Sequence, residues 1–366
     1  MKKQKVLFLF PFPSLGGGGG AQRVLSTLLR NLDRERFELH LALLQAVRGE
    51  GDDIPAGVIV HSLDYSRVRY AILALIRLIH KVRPDSVLSN IGHMNVALLL
   101  CRPFLPRVTR VFIGESTTLS VYLKQATRYP QIWAAMYRWL YKHADKVVCL
   151  SDAMKKELAE DFAVPPEKLV RIYNPLDVEM VRRFAQLDGN PYAGTGPHLV
   201  AAGRFVREKG NDLILDAMPG VLAAFPQARL TLLGEGPLED ALKQQAKKLG
   251  IHGAVSFPGL QQNPWRYFWH ADLVIVPSRF DGLPYVSVEA LAVGTPVVAT
   301  DCPGAIREVR DCDERISLVA PEDPRALAEG IVSVLAKPKR QSAIPAQLGK
   351  FSLQNAVEGY SKLLGG

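Results

Sequence analysis

The chain has 366 residues, 48% hydrophobic and 22% charged, enough apolar material for two domain cores and too little compositional bias for a disordered protein. Lys and Arg exceed Asp and Glu by nine, and four scattered cysteines (Cys101, Cys149, Cys302, Cys312) with no C-x-x-C spacing exclude a disulfide framework and imply a reducing cytoplasm. The apolar runs are too short to span a bilayer: "VALLLCRPFLP" is cut by Arg102 and two prolines, and "AILALIRLIH" carries Arg77.

The first predicted element is the strand "KVLFLF". Its apolar run is short, ends in Pro and Gly and has no cleavage pattern behind it, so it reads as a strand and not as a secretion signal. A run of five glycines, "LGGGGGAQRVLSTLL", then opens a helix near Ala21. The strands "FELHLALL", "VIVHSL", "SVLSN", "VTRVFIG" and "KVVCL" follow, alternating with helices that begin near Arg67, His93, Ile132 and Asp152. All the excess positive charge lies in this half: residues 1–190 hold 27 Lys and Arg against 18 Asp and Glu. Cations and aromatics interleave in "YLKQATRYPQIWAAMYRWLYKHADK", which reads as basic, amphipathic helix. Such a face suits anionic lipid headgroups or a phosphate-bearing substrate, or is simply a solvated face over a buried aromatic stripe. No nucleic-acid module accompanies the charge.

A turn at Asn174–Pro175 leads into the Gly/Pro-rich "LDGNPYAGTGPHLV", which places a domain boundary between residues 185 and 196. Beyond it lie the strands "HLVAAG", "ARLTLLG", "AVSFPG", "DLVIVPS", "PVVAT" and "ISLVA". Helices begin near Gly210, Pro237, Asn263, Ser287, Ala305 and Pro324. Continuous apolar strands alternating with helices are the pattern of parallel sheets covered on both faces, so two doubly wound α/β domains are expected. They cover residues 1–185 and 186–345, with a last amphipathic helix in 346–366.

Three clusters carry chemistry. In the first, bare glycine backbone and a helix N-terminus form a cradle for an anion, beside Gln22 and Arg23. Gly16, Gly18 and Ala21 also fit a loose dinucleotide fingerprint, so a nicotinamide dehydrogenase is a rival; it lacks the acid that should close the second strand, which ends at Gln45. In the second cluster, "AAGRFVREKGNDLILDAM", Arg204 and Lys209 straddle a loop between strand and helix. One offers a bidentate fork and the other a mobile point charge, a combination suited to a diphosphate. In the third, "PSRFDGLPYVSVEAL", Asp281 follows a strand's carboxyl end and Glu289 lies seven intervening residues later, in the expected first turn of the next helix. There the dipole favours ionisation and a carboxylate can accept from a vicinal diol, with Gly282 and Pro284 shaping the turn.

Together with "LLGEGPL", "GTPVVATDCPG" and "APEDPRALAEGI", these segments resemble the retaining glycosyltransferases of family 4 (glycosyl transferases group 1) from about Val6 to Leu364. The resemblance implies a GT-B fold, two Rossmann-like domains facing a central cleft, with the C-terminal helix returning to the N-terminal domain. It implies transfer of a sugar from a nucleotide diphosphate donor, UDP favoured over GDP, held by the C-terminal domain to a glycan or lipid-linked acceptor held by the N-terminal one. The nucleotide sugar is then a co-substrate, and no cofactor or metal is required. By position, Gly19, Gly20 and Gln22 fall beside the donor phosphate, Arg204 and Lys209 on the diphosphate, Asp281 toward the donor sugar, Glu289 on the ribose and Glu235 in the nucleoside pocket. Gly282, Leu283 and Pro284 fall in the donor-binding turn. Asp281 stands where the family motif carries Glu, one methylene longer. Glu115, where many members carry His, and His93 are the N-terminal candidates for assisting the acceptor. The same residues leave open a nucleotide-sugar epimerase of this fold and a non-catalytic nucleotide-sugar-binding protein. The basic half suggests peripheral contact with the inner face of the cell membrane.

Overall fold

The computed structural model describes residues 2–12, 20–45, 54–337 and 346–366. The chain forms two compact units, residues 1–175 with 353–366, and residues 176–352.

The first unit is a seven-stranded parallel sheet in the order β3-β2-β1-β4-β5-β6-β7. Its strands are β1 (Gln4–Phe10), β2 (Phe37–Leu43), β3 (Ile59–Ser62), β4 (Ser86–Ser89), β5 (Arg110–Glu115), β6 (Lys146–Cys149) and β7 (Leu169–Arg171). The connecting helices are α1 (Gly20–Asn31), α2 (Ile72–Val82), α3 (Gly92–Cys101), α4 (Leu119–Ala126), α5 (Pro130–Tyr141) and α6 (Asp152–Glu160). The basic aromatic segment is thus two helices, since Pro130 opens α5 and biases Tyr129 away from helical geometry. The three-residue edge strand β7 is too short for a periodicity to register.

The second unit opens with α7 (Val178–Ala185), capped by Asp177, whose carboxylate accepts from the Met180 amide at 2.8 Å. A six-stranded parallel sheet follows, in the order β10-β9-β8-β11-β12-β13. It contains β8 (His198–Ala202), β9 (Arg229–Leu233), β10 (Val255–Gly259), β11 (Leu273–Val276), β12 (Val297–Thr300) and β13 (Ile316–Val319). Around it lie α8 (Asn211–Ala224), α9 (Glu239–Lys248), α10 (Trp265–His270), α11 (Tyr285–Val293), α12 (Ile306–Arg310) and α13 (Pro324–Leu335). Strand order reverses between β1 and β4 in one sheet and between β8 and β11 in the other. At these switch points the loops at the carboxyl ends diverge and leave room for a ligand.

The boundaries differ from the expected 185/186 and 345/346. Helix α7 belongs to the second unit because it packs on α10 and α11: the Asn263 amide donates to the Phe184 carbonyl at 2.8 Å, and the Phe184 and Trp265 rings meet edge to face. Residues 346–351 form a 3-10 segment in the second unit, where the Lys350 ammonium donates to the Glu308 carbonyl. The chain then supplies α14 (Leu353–Gly365) to the first unit. Ala356, Tyr360 and Leu364, four residues apart, form its buried stripe and join the core of Phe8, Phe10, Leu28 and Leu41. Arg110 donates to the terminal carbonyls of Leu364 and Gly366, a cationic close to the helix's negative end. Truncating the fully buried Leu364 to alanine is expected to cost about 2–5 kcal/mol, read as a lower urea midpoint with an unchanged slope.

Candidate active site

In the second unit the loop after β8 carries Arg204 and then a 3-10 turn, Arg207–Lys209, that ends at Gly210. Gly210 has φ +64°, and a Cβ there would lie 2.1 Å from the Pro277 carbonyl at the end of β11. Glycine is needed both for the left-handed backbone and for this close approach, which brings Lys209 over the neighbouring strand. The Lys209 ammonium pairs with Asp281 Oδ2 at 2.6 Å, and the Ser278 hydroxyl donates to the same oxygen at 3.5 Å. The Asp281 backbone is held in turn by the loop after β12. Its amide donates to the Pro303 carbonyl, and Gly304, with φ +128°, passes so close that a Cβ would strike the Asp281 carbonyl. Two residues 72 positions apart thus meet beside the switch point, as an ion pair.

The turn 278–284 is also anchored from below. Arg279, buried in spite of its charge, makes a two-pronged bond to Asp212 at the start of α8 (2.7 Å each), a third to Glu322 at 2.7 Å, and a fourth to the Arg207 carbonyl. The Asp212 hydrogen bonds raise the guanidinium pKa further, against the cost of burial. Burial also opposes ionisation of Asp212, but the bonds from Arg279 outweigh it and hold the carboxyl below its usual value. Arg279 therefore ties the Lys209 turn to the Asp281 turn. Arg279→Ala strips half-buried Asp212 of its main partner, and is expected to cost about 3 kcal/mol in chemical denaturation. A lone arginine between an apolar strand and Phe280 was the one signal for it in the sequence.

Glu289 lies on α11, which starts at Tyr285, so it occupies the second turn and not the first. A helix dipole acts mainly within the first turn, and the expected ionising influence gives way to a side-chain donor. Glu289 is 3% exposed, and its Oε1 accepts from the Trp265 indole N–H at 2.9 Å. Leu283 and Pro284 are buried, as is Gly282. Arg204 is exposed and pairs with Glu208 at 2.8 Å. Glu235 is exposed on the loop after β9, its carbonyl accepting from the Phe205 amide. The structure thus joins Lys209 to Asp281, sets Glu289 one turn into the following helix, and leaves Arg204 on the rim.

In the first unit Gly20 opens α1 and Gln22 lies in its first turn, whereas Gly16, Gly18 and Gly19 lie outside the described residues. Glu115 ends β5 and is 3% exposed. It accepts from the Tyr141 hydroxyl and from Asn95 Nδ2 (3.1 Å). Burial pushes its carboxyl up to about 7, against the pull of those two bonds, and Glu157 adds to the rise. Tyr141 is raised in its turn, by burial and by Glu115. His93, second in α3 and exposed, is held below the ordinary imidazole value by partial desolvation. Asn95, a polar residue in the otherwise apolar run of α3, escaped the sequence reading, as did Tyr141. Among the described residues no group of three or more His, Cys, Asp or Glu side chains could hold a metal ion, and no helix is long and apolar enough to cross a membrane.

Comparison with known proteins agrees with this architecture. Residues 18–180 match the model for Glycosyltransferase Family 4, and residues 196–337 match Glycosyl transferases group 1. A Campylobacter jejuni N-acetylgalactosamine-N,N'-diacetylbacillosaminyl-diphospho-undecaprenol 4-alpha-N-acetylgalactosaminyltransferase is 28% identical over 338 residues, 89% of this chain and 90% of that protein. Among solved structures, sucrose-phosphate synthase from Thermosynechococcus elongatus superposes with a TM-score of 0.81 at 18% identity, covering 99% of this chain and 98% of that one. Anabaena HepE in complex with UDP and glucose gives 0.77 at 19%, covering 99% of both. With both units matched in order and each sheet folded as the resemblance required, the chain belongs to family 4 of the glycosyltransferases and is a glycosyltransferase of the GT-B type.

Proposed function

We propose that this enzyme transfers a sugar from a UDP-sugar, with retention of anomeric configuration, to a lipid-linked or glycan acceptor in the synthesis of cell-surface polysaccharide or glycoconjugate. The observation that carries this reading is the Lys209–Asp281 pair at the β8/β11 switch point, with the buried Glu289 on the helix that follows. A cation paired with one acid, with a second acid buried on the helix that follows, suits a ligand that carries both phosphate charge and sugar hydroxyls. Lys209 and Arg204 hold the diphosphate, Asp281 faces the donor sugar, Glu289 the ribose and Glu235 the nucleoside. As the glycosidic bond breaks, charge grows on the leaving phosphate, and fixed cations lower that barrier without a bound metal. Arg204 gives up its pair with Glu208 cheaply, because an exposed ion pair is worth only about 0–1 kcal/mol.

The acceptor is handled by the first unit, where Glu115 is the proton acceptor poised near neutrality. His93, exposed on the neighbouring helix α3, is the second candidate. The diphospho-undecaprenol in the name of the C. jejuni relative supports a lipid-linked acceptor, and the UDP bound to HepE supports the nucleotide. Exposed Tyr129, Ile132, Trp133 and Trp139 interleave with Lys124, Arg128, Arg138 and Lys142 on and beside α4 and α5, a composition suited to an anionic bilayer surface at the cytoplasmic face.

The test is a panel of UDP- and GDP-sugars with polyprenyl-diphosphate-linked saccharides, the product's anomeric configuration being read by NMR, with and without EDTA. An α-linked product from an α-linked donor, insensitive to EDTA and abolished by Glu289→Ala, is expected. Isomerisation of donor alone, inversion, or binding without turnover would each overturn the reading. Sedimentation with phosphatidylglycerol vesicles at low salt, against phosphatidylcholine, checks the membrane contact.

A further inference from the structure

We infer that Trp265, on α10, is a positioning residue that sets the recognition of the donor's ribose through Glu289; the inference rests on the ribose role proposed for Glu289. The indole N–H is a single, rigidly directed donor, and it meets Glu289 Oε1 at 2.9 Å within a largely buried setting. A hydrogen bond from a neutral donor to a carboxylate is among the stronger ones, and shielding from water strengthens it further. It fixes the rotation of the carboxylate plane, which decides where the remaining acceptor directions point.

The indole is itself fixed. Its ring meets Phe184 of α7 edge to face, with centroids 6.0 Å apart. The preceding residues are tied to α7 through Asn263, whose amide donates to the Phe184 carbonyl at 2.8 Å. From α7, Arg182 also reaches the Ala292 carbonyl at the end of α11. Helices α7, α10 and α11 thus pack together around Glu289, and Trp265 is where α10 meets its carboxylate. A carboxylate held this way presents its acceptor directions before the ligand arrives, so affinity is gained by avoiding the ordering of a three-torsion side chain. Without the N–H the carboxylate loses one of its anchors, and the hydroxyls of the ribose meet a less defined partner.

Trp265→Phe keeps a ring against Phe184 and removes the indole donor. It is expected to raise the donor KM about tenfold, with kcat within about twofold, since the bond acts on binding and not on the breaking glycosidic bond. The sharper readout is calorimetric titration with UDP and GDP and with their 2′,3′-dideoxy counterparts. Wild-type protein should prefer the nucleotide with ribose hydroxyls, and Trp265→Phe should lose most of that preference. Phe184→Leu, which trims the same packing but keeps the indole donor, should lower the melting temperature while the preference persists. A preference that survives in Trp265→Phe, both nucleotides weakening equally, overturns the inference alone. Wild-type protein that binds a nucleotide and its dideoxy form equally overturns the ribose assignment of Glu289 and the inference with it.

Discussion

Lys209→Ala is expected to lower kcat/KM for sugar transfer by a factor of about 10²–10³, the loss typical of removing one fixed donor from a site of developing negative charge. Two effects act in the same direction. In the proposed mechanism the leaving phosphate loses a cation, and Asp281, whose side chain is 13% exposed and lies 2.6 Å from the ammonium, loses its ion-pair partner in the same site. Lys209→Arg should recover only part of the loss, because a planar fork does not reproduce a point charge at the end of a short 3-10 turn. Arg204→Ala should cost less, about tenfold: its side chain is 73% exposed and water screens it. Steady-state kinetics with a saturating acceptor separates the three. Wild-type turnover in Lys209→Ala would remove the basis of the proposed mechanism.

Glu115 is expected to dominate the pH dependence of stability in the first unit. Its folded value, about 7, lies above the ordinary carboxyl range near 4.5. Below pH 4.5 both folded and unfolded chains carry the proton, and the buried neutral acid favours the fold at no ionic cost. Between pH 4.5 and 7 the unfolded chain releases that proton while the folded chain keeps it, so the contribution is progressively lost as pH rises toward the folded value. Glu115→Gln cannot titrate and retains an oxygen to accept from Tyr141. The stability difference between this variant and wild type should therefore move by about 3 kcal/mol in favour of glutamine over that interval. Urea denaturation at half-unit pH steps measures it, and a flat difference would mean that Glu115 is ionised throughout. If Glu115 also accepts the acceptor's proton, the same substitution removes the acidic limb of the rate profile.

The architecture was largely legible in the sequence because parallel strands covered on both faces must be continuously apolar, and runs such as "KVLFLF" and "LVIV" can hardly be anything else. Glycines and prolines marked the turns, and the motif spacing put Lys209 and Asp281 in loops after strands, whereas Glu289, expected in the first turn of α11, lies in its second. What was missed is short or composite. β7 has three residues, α7 hid inside a segment read for its Gly/Pro-rich end, and the basic aromatic stretch split at Pro130.

Composition, periodicity and local spacing are properties of neighbouring residues, so the chain alone was sufficient for two doubly wound domains and the family resemblance. Partnership is a property of residues remote in sequence. Lys209 meets Asp281 across 72 positions, Trp265 reaches Glu289 across 24, Tyr141 and Asn95 converge on Glu115 across 26 and 20, and α14 enters the first core from the far end of the chain. No local pattern encodes those separations. Folding brings the groups together by ordering the strands, and with the order come the burial and the hydrogen-bond partners that set each group's charge and direction.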